Sequence, residues 1–189
     1  PLNVSTGNAG LRSSWNNDFF AFYNGYNVDK QRGWAMNLRY NNTKNSISTA
    51  TIYDTQSGAR YTRPMNIDGN WNTSAFVMFN TVLDKQKKLN LMNFFNVNYS
   101  NNVGYQSSNA DGSTWGDIYR DDAPQLVDLD KVFRQVNLTK ATTKNTTLND
   151  NLRLNYRGDF KEEGTFEIGL NSGFSYQHAR DKLQTSANI

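Results

Sequence analysis

Leu89-Asn90-Leu91-Met92-Asn93-Phe94-Phe95-Asn96-Val97-Asn98-Tyr99-Ser100-Asn101-Asn102-Val103-Gly104-Tyr105 decides the fold class. Leu89, Leu91, Phe95, Val97, Tyr99, Val103 and Tyr105 share one parity. Asn90, Met92, Phe94, Asn96, Asn98, Ser100, Asn102 and Gly104 share the other. Successive side chains of a β-strand point to opposite faces, so this period of two gives a strand with one apolar and one wetter side.

The same alternation recurs outward from this stretch. Trp34, Met36, Leu38 and Tyr40 oppose Ala35, Asn37, Arg39 and Asn41. Leu148, Leu152, Leu154 and Tyr156 oppose Asn149, Asn151, Arg153, Asn155 and Arg157. Phe166, Ile168, Leu170, Phe174, Tyr176 and His178 oppose Glu167, Gly169, Asn171, Ser175 and Gln177. The pattern predicts six strands, at 18–27, 32–54, 58–82, 88–105, 134–159 and 164–180. A mean globular strand has only ~5–6 residues, whereas about 9–11 cross a bilayer. The expected fold is therefore all-β, an antiparallel meander forming part of a transmembrane β-barrel, with the whole chain 1–189 as a partial outer-membrane barrel.

The connections alternate in length. Residues 28–33, 83–88 and 160–164 are short and charged, whereas 106–133 is long and carries Gly112, Trp115, Gly116 and Pro124. Outer-membrane barrels have short periplasmic turns and longer external loops. The charged turns, among them Lys161, Glu162 and Glu163, are thus expected on the periplasmic side and 106–133 outside, with a short helix at 126–133.

Composition agrees with this reading. Aromatics are 13% of the chain although mean hydropathy is −0.77, as expected of a sheet with one greasy and one wet face. Cysteine is absent, which excludes disulfides and thiolate chemistry. The net charge of +3 is scattered, so no nucleic-acid footprint is expected. No signal peptide and no apolar run of ~20 residues is present.

Six strands fall short of the ~8 or more of bacterial single-chain barrels. Open edges are not tolerated in hydrocarbon. The rest of the barrel is accordingly expected to be missing, unless the two longest strands bend into extra ones. The start at Pro1 and the loop-like end Ser186-Ala187-Asn188-Ile189 fit a cut piece.

Three segments carry a family resemblance. Gly7-Asn8-Ala9-Gly10-Leu11-Arg12, followed by Trp15 and the strand Asp18–Tyr26, is similar to a "GNPxLKP" segment plus strand in Bacteroidetes TonB-dependent-receptor-like barrels. Tyr61-Thr62-Arg63-Pro64-Met65-Asn66-Ile67-Asp68-Gly69-Asn70-Trp71-Asn72 resembles their "TRPxNIxGNW" region, and Leu152–Arg157 also fits. Ala9 departs from the family, which usually has proline there. The resemblance implies a barrel of about 22 strands with an N-terminal plug. It also implies energised uptake of a bulky solute through TonB, and a place in the cell outer membrane. Neither the plug nor the TonB-contacting segment is in this sequence. The implied partners are the lipid bilayer, the remaining barrel strands and plug of the parent chain, and the TonB complex through the absent N-terminal part.

No residue set points to catalysis, a metal or a cofactor, so the chain is not expected to be an enzyme. His178, the single histidine, sits on the apolar parity near a strand end, where an interfacial ring is the better reading. Asp117, Asp121, Asp122, Asp128 and Asp130 lack calcium-loop spacing and read as a solvated loop. Trp34, Tyr40, Phe79, Tyr99, Tyr156, Phe160, Phe166 and Tyr176 fall near strand ends, as interfacial girdles would. Arg39, Asn96, Asn98, Arg153, Arg157 and Asn171 are the expected lumen-lining set. Trp115 and Tyr119 are the expected external-loop ligand contacts, with packing inside the loop as the plainer role. The leading function is the wall of a TonB-dependent outer-membrane transporter. The rivals are a non-transport barrel, used as an adhesin or secretion scaffold, and a soluble ligand-binding β-domain.

Overall fold

The computed structural model describes residues 2–160 and 164–185, with side chains except at 160, 184 and 185. Pro1, the turn residues Lys161, Glu162 and Glu163, the side chain of Phe160 and the terminal 186–189 lie outside this description.

Six strands form one open antiparallel sheet. They are β2 (Trp15–Asn27), β3 (Arg32–Lys44), β6 (Asn70–Val82), β7 (Leu89–Gln106), β9 (Thr139–Phe160) and β10 (Gly164–Thr185). Their order is β10-β9-β7-β6-β3-β2, so β2 and β10 are the edges. A second sheet, in the order β1-β5-β4-β8, unites β4 (Ser46–Asp54) and β5 (Arg60–Ile67) with two three-residue strands, β1 (Asn3–Ser5) and β8 (Ser108–Ala110). A helix, α1 (Leu129–Gln135), packs on this smaller sheet through Leu129, Val132 and Phe133. Among the described residues no helix is long and apolar enough to cross a membrane.

The antiparallel meander therefore holds for the large sheet and needs correction in three places. First, the expected strands 32–54 and 58–82 are each broken in two. Asn45 adopts a left-handed backbone (φ 52°), and its N–H donates to Asp68 Oδ1 at 2.7 Å. Gly69 sits at φ 114°, where a Cβ would lie 2.8 Å from Val103 Cγ2. These facing kinks turn β4 and β5 out of the large sheet.

Second, β1 pairs with β5, and β8 with β4, in parallel. Both short strands run beside the hairpin as it leaves the large sheet. Third, 106–133 is not a free loop. It contributes β8, a 3-10 turn (Gly112–Thr114), a bridge between Tyr119 and Val127, and most of α1. The helix starts at Leu129 rather than 126 because Asp128 caps it, accepting from the N–H groups of Asp130 and Lys131. The strand expected from 134 starts at Thr139, since the helix occupies the preceding residues.

Among the described residues the buried hydrophobic core sits wholly in the smaller sheet, α1 and the segments joining them, here termed the cap. Ala50, Ile52, Ala59, Tyr61, Leu129, Val132, Phe133, Val136 and Leu138 form one buried cluster. In contrast, no hydrophobic side chain described on the six-stranded sheet is fully buried, and Phe19, Tyr23, Leu38, Ile168, Leu170 and Phe174 are all exposed.

Candidate functional site

Register assigns every strand residue to a face. Directly opposed residues share a side, so the partners of Val97, namely Ala75 and Leu148, lie beside it. Carried across all six strands, one face contains Phe19, Tyr23, Trp34, Met36, Leu38, Tyr40, Val77, Phe79, Leu89, Leu91, Phe95, Tyr99, Leu152, Leu154, Tyr156, Ile168, Leu170 and Phe174. This is the apolar partition expected from periodicity, now continuous over the sheet.

Rings mark two levels of that face. Phe19, Tyr40, Trp71 and Tyr99 form a ladder across β2, β3, β6 and β7, with centroid separations of 6.4, 6.1 and 5.1 Å. Tyr176 stacks on His178 at 6.4 Å on β10, giving the histidine a neighbouring ring as its partner. Towards the other strand ends, Trp34 opposes Phe79, and Tyr156 meets Phe166 at 6.1 Å. Between these levels the face has a single described acidic group, Asp150, which accepts a 2.7 Å hydrogen bond from Asn93 Nδ2. That pairing gives the carboxylate one donor on an otherwise greasy surface.

The opposite face carries all six residues expected to line a lumen. Asn96 opposes Phe76 and Asn149, and Asn98 opposes Ser74 and Thr147. Arg153 opposes Asn171 and donates to its Oδ1 at 2.9 Å. Arg157 opposes Glu167 towards the β9–β10 turn. These five lie on the adjacent strands β7, β9 and β10. Arg39 stands apart on β3 in an ion pair with Asp18 of β2. The expectation left one feature of this face unused. Phe20, Phe22, Phe76, Met78 and Phe94 also lie on this face amid the asparagines, Phe20 being 80% exposed, and the parity of Met92 and Phe94 already signalled part of this.

The cap separates the two expected external contacts. Trp115 is half-buried, with its ring edge-on to Tyr61 at 5.8 Å and packed against the core cluster. Tyr119 is 48% exposed. Four aspartates of this segment meet neighbouring cations, while Asp128 caps α1. Asp121 and Asp117 meet Lys131 Nζ at 2.8 and 3.8 Å, Asp122 meets Arg120, and Asp130 meets Arg63. Among the described residues no cluster could hold a metal ion. The hydrogen bond from Arg120 holds the Asp122 carboxyl below the usual carboxylate range, and that from Lys131 to Asp121 raises the lysine.

Asp54 was not anticipated and organises the cap. It is 5% exposed. Burial alone would raise its carboxyl, yet hydrogen bonds from Ser57 Oγ and from the N–H groups of Gln56, Gly112 and Ser57 hold it below the ordinary value. Nothing in the alternation could reveal it, because its donors arrive from 112 as well as from the adjacent turn.

The segments that carry the family resemblance clasp one another. Asn8 Nδ2 donates to the Pro64 carbonyl at 3.0 Å, while Asn8 Oδ1 accepts from Arg63 Nη2 at 2.7 Å and from Gly10 N–H at 2.9 Å. The Arg12 N–H donates to Asn66 Oδ1 at 2.7 Å, and Asn66 Nδ2 returns a bond to the Arg12 carbonyl. Comparison with protein families, with characterised proteins and with solved structures finds no match for this chain.

Proposed function

We propose that this chain is a wall segment of an outer-membrane β-barrel that admits a bulky solute, of the TonB-dependent receptor type, with the cap on the external side. The observation that carries the reading is the contrast between the two sheets. Every described hydrophobic side chain that is fully buried belongs to the cap and its margins, while the large sheet leaves one broad apolar face uncovered. Exposed apolar area of that extent calls for an apolar phase or a partner.

The dimensions suit a bilayer. A strand of 13 residues, the length of β2, β3 and β6, rises about 43 Å, and at ~45° tilt it spans roughly 30 Å, the thickness of the hydrocarbon layer. The two ring-bearing levels, six residues apart on β3 (Tyr40 to Trp34) and eight on β6 (Trp71 to Phe79), are read as the two aromatic girdles. The asparagine-rich face becomes the lumen, and edges β2 and β10 join the remaining strands. Residues of a plug and a TonB-contacting segment would belong to other parts of the parent molecule.

The test is phase preference. Refolded chain is expected to require detergent or vesicles to stay dispersed and to float with lipid on a density gradient. A monodisperse species in plain buffer, stable without amphiphile, would sink the membrane reading in favour of a soluble β-domain.

A further inference from the structure

Towards the cap, the apolar face ends in a cluster of cations on the neighbouring strands β9 and β10. Lys144 of β9 stands directly opposite Arg180 of β10, and Lys182 follows two residues along β10 on the same face. All three are exposed. Lys140 adds a fourth cation on that face of β9, its Nζ 6.0 Å from the centre of the Tyr105 ring. From this arrangement we infer that the cluster binds the phosphate-bearing headgroup of a lipid. The inference rests on the barrel-wall reading and adds the class of lipid that the wall selects.

Three observations carry it. The first is depth. His178, Thr146 and Tyr99 stand in one row across β10, β9 and β7, at the level of the ring ladder. Arg180 and Lys182 follow two and four residues nearer the cap, which is about 7 and 13 Å along the strand. At ~45° tilt they rise roughly 5 and 9 Å above the rings. Rings at the border of the hydrocarbon leave that interval to headgroups. The cations also continue the face that acyl chains would cover, so an amphiphile with its anion at this height meets both surfaces.

The second is uncompensated charge. Like charges directly opposed across a sheet destabilise it. No ion pair among the described residues involves any of the four cations. Among the described residues of β7, β9 and β10, no carboxylate lies on this face between the ring row and the cap. An anion seated between Lys144 and Arg180 turns a repulsion into two attractions. The guanidinium fork of Arg180 also matches phosphate oxygens two at a time.

The third is localisation. The row through Lys144 and Arg180 continues as Asn101, Trp71, Asn42 and Asn17 on β7, β6, β3 and β2, all uncharged. Lys44 is the single cation at the cap end of that face on β2, β3 and β6. Positive charge is thus gathered at one side of the sheet rather than spread along the wall.

The measurement is electron spin resonance of the full chain in dioleoylphosphatidylcholine vesicles. The probes are spin-labelled phosphatidylcholine, phosphatidic acid and stearic acid. Immobilised phosphatidylcholine reports lipid contact, and so tests the wall reading itself. Phosphatidic acid is expected to be immobilised roughly threefold or more over phosphatidylcholine. That preference should weaken in high salt and survive inorganic pyrophosphate at matched ionic strength. The triple variant Lys144→Gln/Arg180→Gln/Lys182→Gln should bring the preference close to unity. Lys30→Gln/Lys85→Gln, at exposed turn positions on the opposite end of the sheet, should leave it unchanged. Because the opposed cations repel, the triple variant in pure phosphatidylcholine should resist heat at least as well as the parent chain. Equal immobilisation of phosphatidic acid and phosphatidylcholine would overturn the inference, leave the wall reading standing and assign the cluster to an acidic protein partner. Displacement by pyrophosphate, a stearate preference matching that of phosphatidic acid, a triple variant that keeps the preference, or one that loses heat resistance would overturn it as well. No immobilised component for any probe would sink the wall reading and this inference with it.

Discussion

Asp54 shows how one side chain can hold a substructure together. Its carboxylate closes the turn after β4 through Gln56 and Ser57, and reaches across to Gly112 at 2.8 Å. Gly112 must be glycine for that approach, since a Cβ there would lie 2.5 Å from Asp54 Oδ2. Asp54→Ala would remove the shared acceptor of the part-buried Gln56, Ser57 and Gly112 N–H groups, and hydrogen bonds to a charged group contribute about 1.5–3 kcal/mol each. We expect hydrogen exchange to show the amides of β4, β5 and β8 losing protection in that variant. A pH dependence follows from the same group. Its folded pKa lies below that of an unfolded Asp, near ~3.9. Its contribution is complete above the unfolded value and is lost as pH falls through the lower folded one. Cap stability should thus decline on acidification below about pH 4, and Asp54→Asn should be weaker at neutral pH with a flatter profile. An unchanged profile in the Asn variant would mean that other carboxylates dominate.

For the elements, the informative quantity is register. The strands β6, β7 and β9 put Val97 among Ala75 and Leu148, and Asn98 among Ser74 and Thr147. A one-residue slip would exchange the two faces entirely. Cysteines placed singly at 97 and 98 in membrane-inserted protein should therefore separate, with 97 reacting with a lipid-phase thiol reagent and 98 with an aqueous one. Equal labelling at both sites would refute the assignment. The N-terminal segment from β1 to Asn8, a strap along β5, carries a second prediction. Strand β1 has only three residues, too few to hold by ladder bonds alone, and Asn8 anchors it to Arg63 and Pro64. Asn8→Ala should release the strap at a cost of roughly 1–3 kcal/mol. The readout is loss of protection at Asn3–Ser5 while α1 remains protected.

The whole molecule joins two parts stabilised in different ways. The cap has a buried cluster and a capped helix, as a small globular domain would. The sheet has ladders and ring contacts but no interior of its own. Its edges β2 and β10, of 13 and 22 residues, carry unpaired backbone groups along one side. In hydrocarbon each such group costs on the order of several kcal/mol. The chain by itself should consequently associate through these edges in detergent, seen as multimers by light scattering. A monodisperse closed monomer would show that the edges find each other and that the wall is complete.

Alternation alone determined the faces of the large sheet and the presence of its six strands, though not where β3 ends or where β6 and β9 begin, because period two follows from backbone geometry at each residue and needs no distant partner. The wet and greasy sets around Val97 and Asn98, and the common face of Asn96, Asn98, Arg153, Arg157 and Asn171, were legible for that reason. The cap was not. Its kinks depend on Asn45 meeting Asp68 and on Gly69 passing Val103, its carboxylate on a donor 58 residues away, and its parallel strands on segments that meet only after the chain has folded. Contacts between residues remote in sequence leave no periodic trace. The seat of Trp115 against Tyr61 and the buried cluster is accordingly a product of tertiary structure alone.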